Sequence, residues 1–255
     1  MTSTFGTTVK VSIFGESHAP KIGCTIEGLP AGFTVDLAAL KTFLQRRSPS
    51  HPWDTPRKET DDPEFISGIS AEGILDGSPL TAELPNTNVR PQDYAATKLV
   101  PRPGHADFSA WAKWGDSYTQ TGGGHFSARL TAPLCIAGGI ALQILRAQGI
   151  TIAAHVLKIK DVSDTPLELV NNSLEASKLL AYQMDQLLQA DPQALPFLDA
   201  QAGEKTRALL KQLRSEKNTV GGIIECAATG VPAGIGSPHF HGLENTISAA
   251  VFGVP

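Results

Sequence analysis

Paired cysteines are missing from this chain. Its three, Cys24, Cys135 and Cys226, stand far apart with no zinc or dithiol spacing. That excludes a disulfide scaffold and reads as reduced, buried small hydrophobes in a reducing compartment. Basic tracts are lacking too, and a formal net charge of -4 gives no global attraction to nucleic acid. The first residues hold no basic segment followed by an apolar run, so no signal peptide is expected. The longest uncharged stretch, residues 130–145, is short for a membrane span and contains Pro133, Gly138 and Gly139. It is expected as a core helix. These absences point to a cytoplasmic globular protein with no nucleic-acid or membrane partner. What is there suffices for a core: 255 residues, 41% of them hydrophobic.

Residues 7–14 alternate Val9, Val11 and Ile13 with Lys10 and Ser12, the period of a half-buried strand, and residues 23–29 offer a partner. Between them lies a polar connector carrying His18. Asp36 is expected to cap a helix with Leu37, Leu40, Phe43 and Leu44 on one face, ended by Ser48-Pro49. Arg46, Arg47, Arg57 and Lys58 make the following loop locally cationic. Short strands are expected at 64–69 and 79–84, and a short helix at 93–99. Residues 131–148 form the strongest helix pattern. Its Gly138 and Gly139 each cost roughly 1 kcal/mol against alanine, which close packing by another element would offset. Residues 150–160 alternate as a strand, 161–218 read as a helical, solvent-facing arm or insertion, 221–225 open a strand, and 244–251 read as a helix. The apolar ending after that helix is expected to mean that sequence is missing.

Residues 102–129 concentrate the chemistry. A turn holds Arg102, His105 and Asp107. Two tryptophans, Trp111 and Trp114, follow it, and then Gly122-Gly123-Gly124, His125, Ser127 and Arg129 precede the long helix. Backbone N–H groups approach an oxyanion only where side chains are absent, and arginine adds a forked, permanent charge for phosphate. The alternatives are structural: the Arg102–Asp107 pair as a staple, the glycines as a flexible turn, His18 as a loop histidine on a backbone carbonyl. Trp111 and Trp114 read as a core edge. His239 and His241 would share a strand face, but no third ligand accompanies them, so no metal site is expected.

In order along the chain, these segments resemble chorismate synthase. The matching residues are Phe14-Gly15-Glu16-Ser17-His18, Arg46-Arg47, Arg57-Lys58-Glu59, Arg102-Pro103-Gly104-His105-Ala106-Asp107, the triple glycine, Ser127-Ala128-Arg129 and Gly234-Ile235-Gly236. The resemblance implies an α+β fold, a layered sandwich of helices between antiparallel sheets, as one domain over 1–255 that is incomplete at its C-terminus. It implies a homotetramer that eliminates phosphate from 5-enolpyruvylshikimate 3-phosphate using reduced FMN, and it leaves NADPH open as the flavin's reductant. His18 would then be the acid toward the leaving phosphate, and His105 the proton donor to the reduced flavin. Arg46, Arg47, Arg102 and Arg129 would bind substrate, while Gly124, His125, Phe126 and Ser127 would contact FMN. The chain departs from the family pattern in three places. His125-Phe126 stand where Arg-Ser is usual, and Ser48 and Trp53 replace arginines. Family chains also continue through a glycine-rich FMN segment and a motif with a functional aspartate. A non-catalytic flavin- or phosphate-binding relative, or an inactive fragment, is the rival expectation.

Overall fold

A computed structural model of the protein describes residues 3–55, 59–87, 100–115, 122–168 and 173–254. The helix expected at 93–99, and Arg57 and Lys58, lie outside them. The described residues are α+β, with six helices, two antiparallel sheets and no parallel pairing. The chain divides into two compact units, one of Met1–Ser48, Arg57–Gln143 and Gly234–Pro255, the other of Pro49–Pro56 and Ile144–Ala233.

In the first unit the alternating segment becomes β2 (Lys10–Gly15), and β3 (Lys21–Glu27) returns beside it with Ile13 opposite Cys24. Two further strands, β4 (Glu64–Ser67) and β5 (Leu80–Pro85), and the short β1 (Thr4–Phe5) complete a sheet in the order β1-β2-β3-β5-β4. Ile22, Cys24, Ile26, Leu80, Ala82 and Leu84 alternate inward from β3 and β5 and are buried to within 2%. Asp36 caps α1 (Leu37–Gln45) by accepting from the Ala39 N–H at 2.8 Å. The long helix α3 (Thr131–Ala147) buries Ala132, Ile136 and Ile140. A Cβ on Gly139 would fall 2.5 Å from Leu40 and 2.9 Å from Phe43, so this glycine lets α1 approach; Gly138 meets nothing within 4 Å. The Gln143 amide joins the same pair of helices, accepting from the Asp36 N–H at 2.8 Å and donating to the Asp36 carbonyl at 3.0 Å.

The second unit contains β6 (Thr151–Ile159) between β7 (Val162–Ser163) and β8 (Gly222–Thr229). Residues 161–218 do hold two helices, α4 (Leu174–Gln189) and α5 (Ala200–Ser215). Leu180, Met184 and Leu187 of α4 bury against Ala153 and Leu167, so this helix has an inward face as well as a solvated one. At the centre His155, fully buried, points Nδ1 at Asp164 (2.7 Å) and Nε2 at Glu225 (2.9 Å).

Three local expectations are corrected. Residues 237–242 form a turn closed by a Ser237–His241 bridge, with His239 at φ 65°, so His239 and His241 do not share a strand face. Trp111 is 53% exposed rather than at a core edge, on a helix α2 (Asp107–Trp114) that the sequence pattern did not announce. Of the cysteines only Cys24 is buried. Its thiol is pushed up to about 12 by desolvation, whereas Cys226 is exposed.

Candidate active site

Two glycine-containing turns of the first unit are tied together by hydrogen bonds. The β2–β3 connection must reverse at Gly15, whose φ is +93° and whose added Cβ would lie 2.7 Å from the Lys21 carbonyl; only glycine fits. The turn that follows presents Ser17, buried, and His18, half-buried. The Ser17 N–H donates to the Gly124 carbonyl at 3.1 Å. In return, His125 Nδ1–H donates to the Gly15 carbonyl at 2.9 Å. A carbonyl only accepts, so Nδ1 carries a proton, and Nε2 meets the Ser3 hydroxyl at 2.5 Å. Thus His125 staples the triple-glycine turn to the β2–β3 turn and to Ser3.

Arg102 grips the triple glycine from another side, donating through Nη2 to the Gly122 carbonyl at 2.6 Å. Its Nε and Nη2 also reach the two Asp107 oxygens at 2.7 and 3.1 Å, and the Arg102 N–H adds a third bond at 3.0 Å. The Asp107 side chain is 3% exposed. Its carboxyl is held below the usual carboxylate range, first by the Arg102 hydrogen bonds. The stapling alternative for this pair is therefore what the geometry shows. His105 does not bond Asp107; its Nδ1 donates to the Pro103 carbonyl at 3.1 Å, and the residue is exposed.

A folded pKa below the unfolded value means that this staple stabilises fully above about pH 4 and is lost as pH falls through the folded value. Asp107→Asn is expected to cost roughly 1.5–3 kcal/mol at pH 7. It should also flatten the loss of stability between pH 4 and 2. Urea unfolding at several pH values checks both, and parallel curves for the two proteins would refute the assignment.

His105 and Asp107 line a cavity of about 530 Å³ together with His125, Phe126, Leu134 and Ile13. That size lies within the ~300–1,000 Å³ typical of small-molecule sites, and apolar walls with few polar groups are their usual lining. Phe126 packs on Trp114 with ring centroids 6.0 Å apart. Ser127 caps the next turn, its Oγ accepting from the Arg129 N–H at 3.2 Å. Gly123 packs tightly, since a Cβ would sit 3.0 Å from Ser127 and push it aside by a few tenths of an ångström. A planar aromatic group with a polar edge toward His105 fits this lining, so the residues present suit the ring of a flavin.

His18 and the remaining arginines are not in that cavity wall. Arg47 and Arg129 meet on a residue that sequence reasoning passed over. Asp61, whose side chain is 2% exposed, accepts from Arg47 Nη1 through one oxygen and from Arg129 Nη1 through the other. Arg129 is 6% exposed at its side chain, and its Nη2 is buried without a hydrogen-bond partner among the described residues. Arg129 Nε donates to Asn86 at 3.1 Å, and Asn86 in turn holds the His18 turn. Arg46 is exposed at the end of α1. Two guanidinium groups on one carboxylate leave a net positive charge and one buried donor unfilled, a combination that an anion would satisfy. Asp61 carried no signal in the sequence beyond its place in an acidic pair after Arg57-Lys58-Glu59.

Comparison with known proteins follows the same lines. A family model described as chorismate synthase matches residues 9–255. Chorismate synthase of Lancefieldella parvula is 87% identical over the whole chain, which covers 67% of that protein. The enzymes of Pyrobaculum islandicum and Aeropyrum pernix are each 34% identical over 99% of the chain, covering 66% and 63% of theirs. A crystal structure of chorismate synthase superposes with a TM-score of 0.66 at 24% identity, covering 91% of this chain and 60% of that one, and so shares the fold. The chain spans about two thirds of the length of the curated relatives it matches.

Proposed function

The chain belongs to the chorismate synthase family, and we propose that it serves the elimination of phosphate from 5-enolpyruvylshikimate 3-phosphate to give chorismate. A C–O and a C–H bond of the substrate break, a ring double bond forms and inorganic phosphate leaves, with no net oxidation. Reduced FMN, when bound, supplies electron density to the ring from which phosphate departs. His105, Gly124, His125, Phe126 and Ser127 would hold it. His105 keeps its Nδ1 proton on Pro103 and exchanges a proton at Nε2 with the cavity's occupant. His18 donates a proton to a departing phosphate oxygen. Arg47 and Arg129 receive the negative charge, and the Asp61 carboxylate fixes their orientation before reaction, so little reorganisation is needed as charge develops. Arg102 acts at one remove by fixing the glycine turn, and exposed Arg46 adds a cation at the entrance.

One observation carries this reading. The turn bearing His18 and the turn bearing the cavity's Gly123–Phe126 wall are bonded to each other, so an acid–cation cluster and a flavin-sized cavity share one scaffold. The same reading makes the protein a cytoplasmic homotetramer whose flavin is kept reduced by NADPH or by an outside reductase. Anaerobic incubation of the protein with reduced FMN and substrate tests the reaction. Chorismate and inorganic phosphate are expected in equal amounts, and FMN binding without either product would reject catalysis.

A further inference from the structure

Resting on that reading, we propose that Asn86 is a positioning residue: its side-chain amide sets the His18 turn and the Arg129 guanidinium relative to each other. Asn86 follows β5 and is 9% exposed. Its Nδ2 donates to the carbonyls of Glu16 at 3.2 Å and Ala19 at 2.7 Å, which bracket Ser17 and His18. Its backbone N–H donates to the Pro20 carbonyl at 2.9 Å. Its Oδ1 accepts from Arg129 Nε at 3.1 Å. Carbonyls only accept and a guanidinium only donates, so these partners fix which way the amide points. The next residue anchors the corner again, with the Thr87 N–H and hydroxyl both donating to Glu59 at 2.9 and 2.8 Å.

No other side chain does this at equal size. Aspartate keeps the acceptor for Arg129 but cannot donate to the two carbonyls. Leucine offers neither. Alanine removes both links and leaves three polar groups, one of them on buried Arg129, to find new partners. Asn86 touches neither cavity nor reacting atoms; it acts through His18 and Arg129.

The test compares the parent with Asn86→Asp and Asn86→Ala. Steady-state turnover with reduced FMN is measured alongside the pH titration of the His18 imidazole by NMR. Misplacing a reacting group by about 1 Å costs on the order of 10²-fold, so both variants should lose about that factor in kcat. KM for substrate should stay within about threefold, because ground-state binding is shared among several cations. The His18 titration midpoint should move in both variants. Asn86→Asp preserves shape and the Arg129 bond, so it decides the matter if Asn86→Ala fails to fold. Folded variants with kcat within about twofold of the parent would overturn the proposal. So would a fall in kcat with the His18 titration unmoved, which would place the effect elsewhere. If the parent itself forms no chorismate, the functional reading fails, and the NMR comparison still decides whether Asn86 positions His18.

Discussion

Asp61→Ala is expected to destabilise the protein by roughly 3–5 kcal/mol, the usual cost of removing one partner from a buried ion pair. The loss is large because the remaining charges cannot escape. Arg129 is 6% exposed at its side chain and Arg47 is 22% exposed, and both guanidinium groups lose an oxygen acceptor at once. Against a total stability of about 5–15 kcal/mol such a change threatens folding. Desolvation also favours removing the charges together. A buried pair replaced as a whole by apolar groups of similar volume is often neutral, so combining Asp61→Leu with Arg129→Met is expected to recover much of the loss. Urea unfolding of the three proteins measures this through their midpoints at unchanged slope. A cost below about 1 kcal/mol for Asp61→Ala would mean that the cluster is solvated and exposed.

His18→Ala and His105→Ala are each expected to lower turnover by roughly 10²-fold or more, the scale of general acid–base losses. The two should differ in what survives. His105 lines the cavity, so its removal leaves the arginine cluster intact and the affinity for substrate largely unchanged. His18 sits in the turn whose neighbours bond Gly124 and Asn86 through the backbone. Those backbone bonds do not involve the His18 side chain, so Ser17 and Glu16 keep them when it is cut back. Rates equal to the parent's in either variant would remove that histidine's role.

Much of the fold was legible because hydrophobic period and caps act locally. Asp36 starts α1 as its N-cap, Val11 and Ile13 mark β2, and the glycines of α3 foretold a close approach that Gly139, and not Gly138, provides. The short helix after Asp107 was not legible, because its apolar residues Phe108 and Trp111 lie exposed instead of defining a buried face. The candidate site was half legible. Histidines and arginines advertise chemistry by type, but Asp61 and Asn86 gain their meaning only from partners 14 to 70 positions away. His155 shows the same limit. It is a single polar residue in an alternating strand, and its two carboxylate partners come from positions 9 and 70 residues away. Sequence order carries no record of such meetings.

A crystal structure of the protein with oxidised FMN and 5-enolpyruvylshikimate 3-phosphate bound tests the central claim most directly. The flavin ring is predicted in the cavity against His105 and Phe126, with the substrate's phosphate turned toward His18, Arg47 and the unpaired Nη2 of Arg129. A flavin seated elsewhere, or a phosphate pointing away from those three side chains, would contradict it.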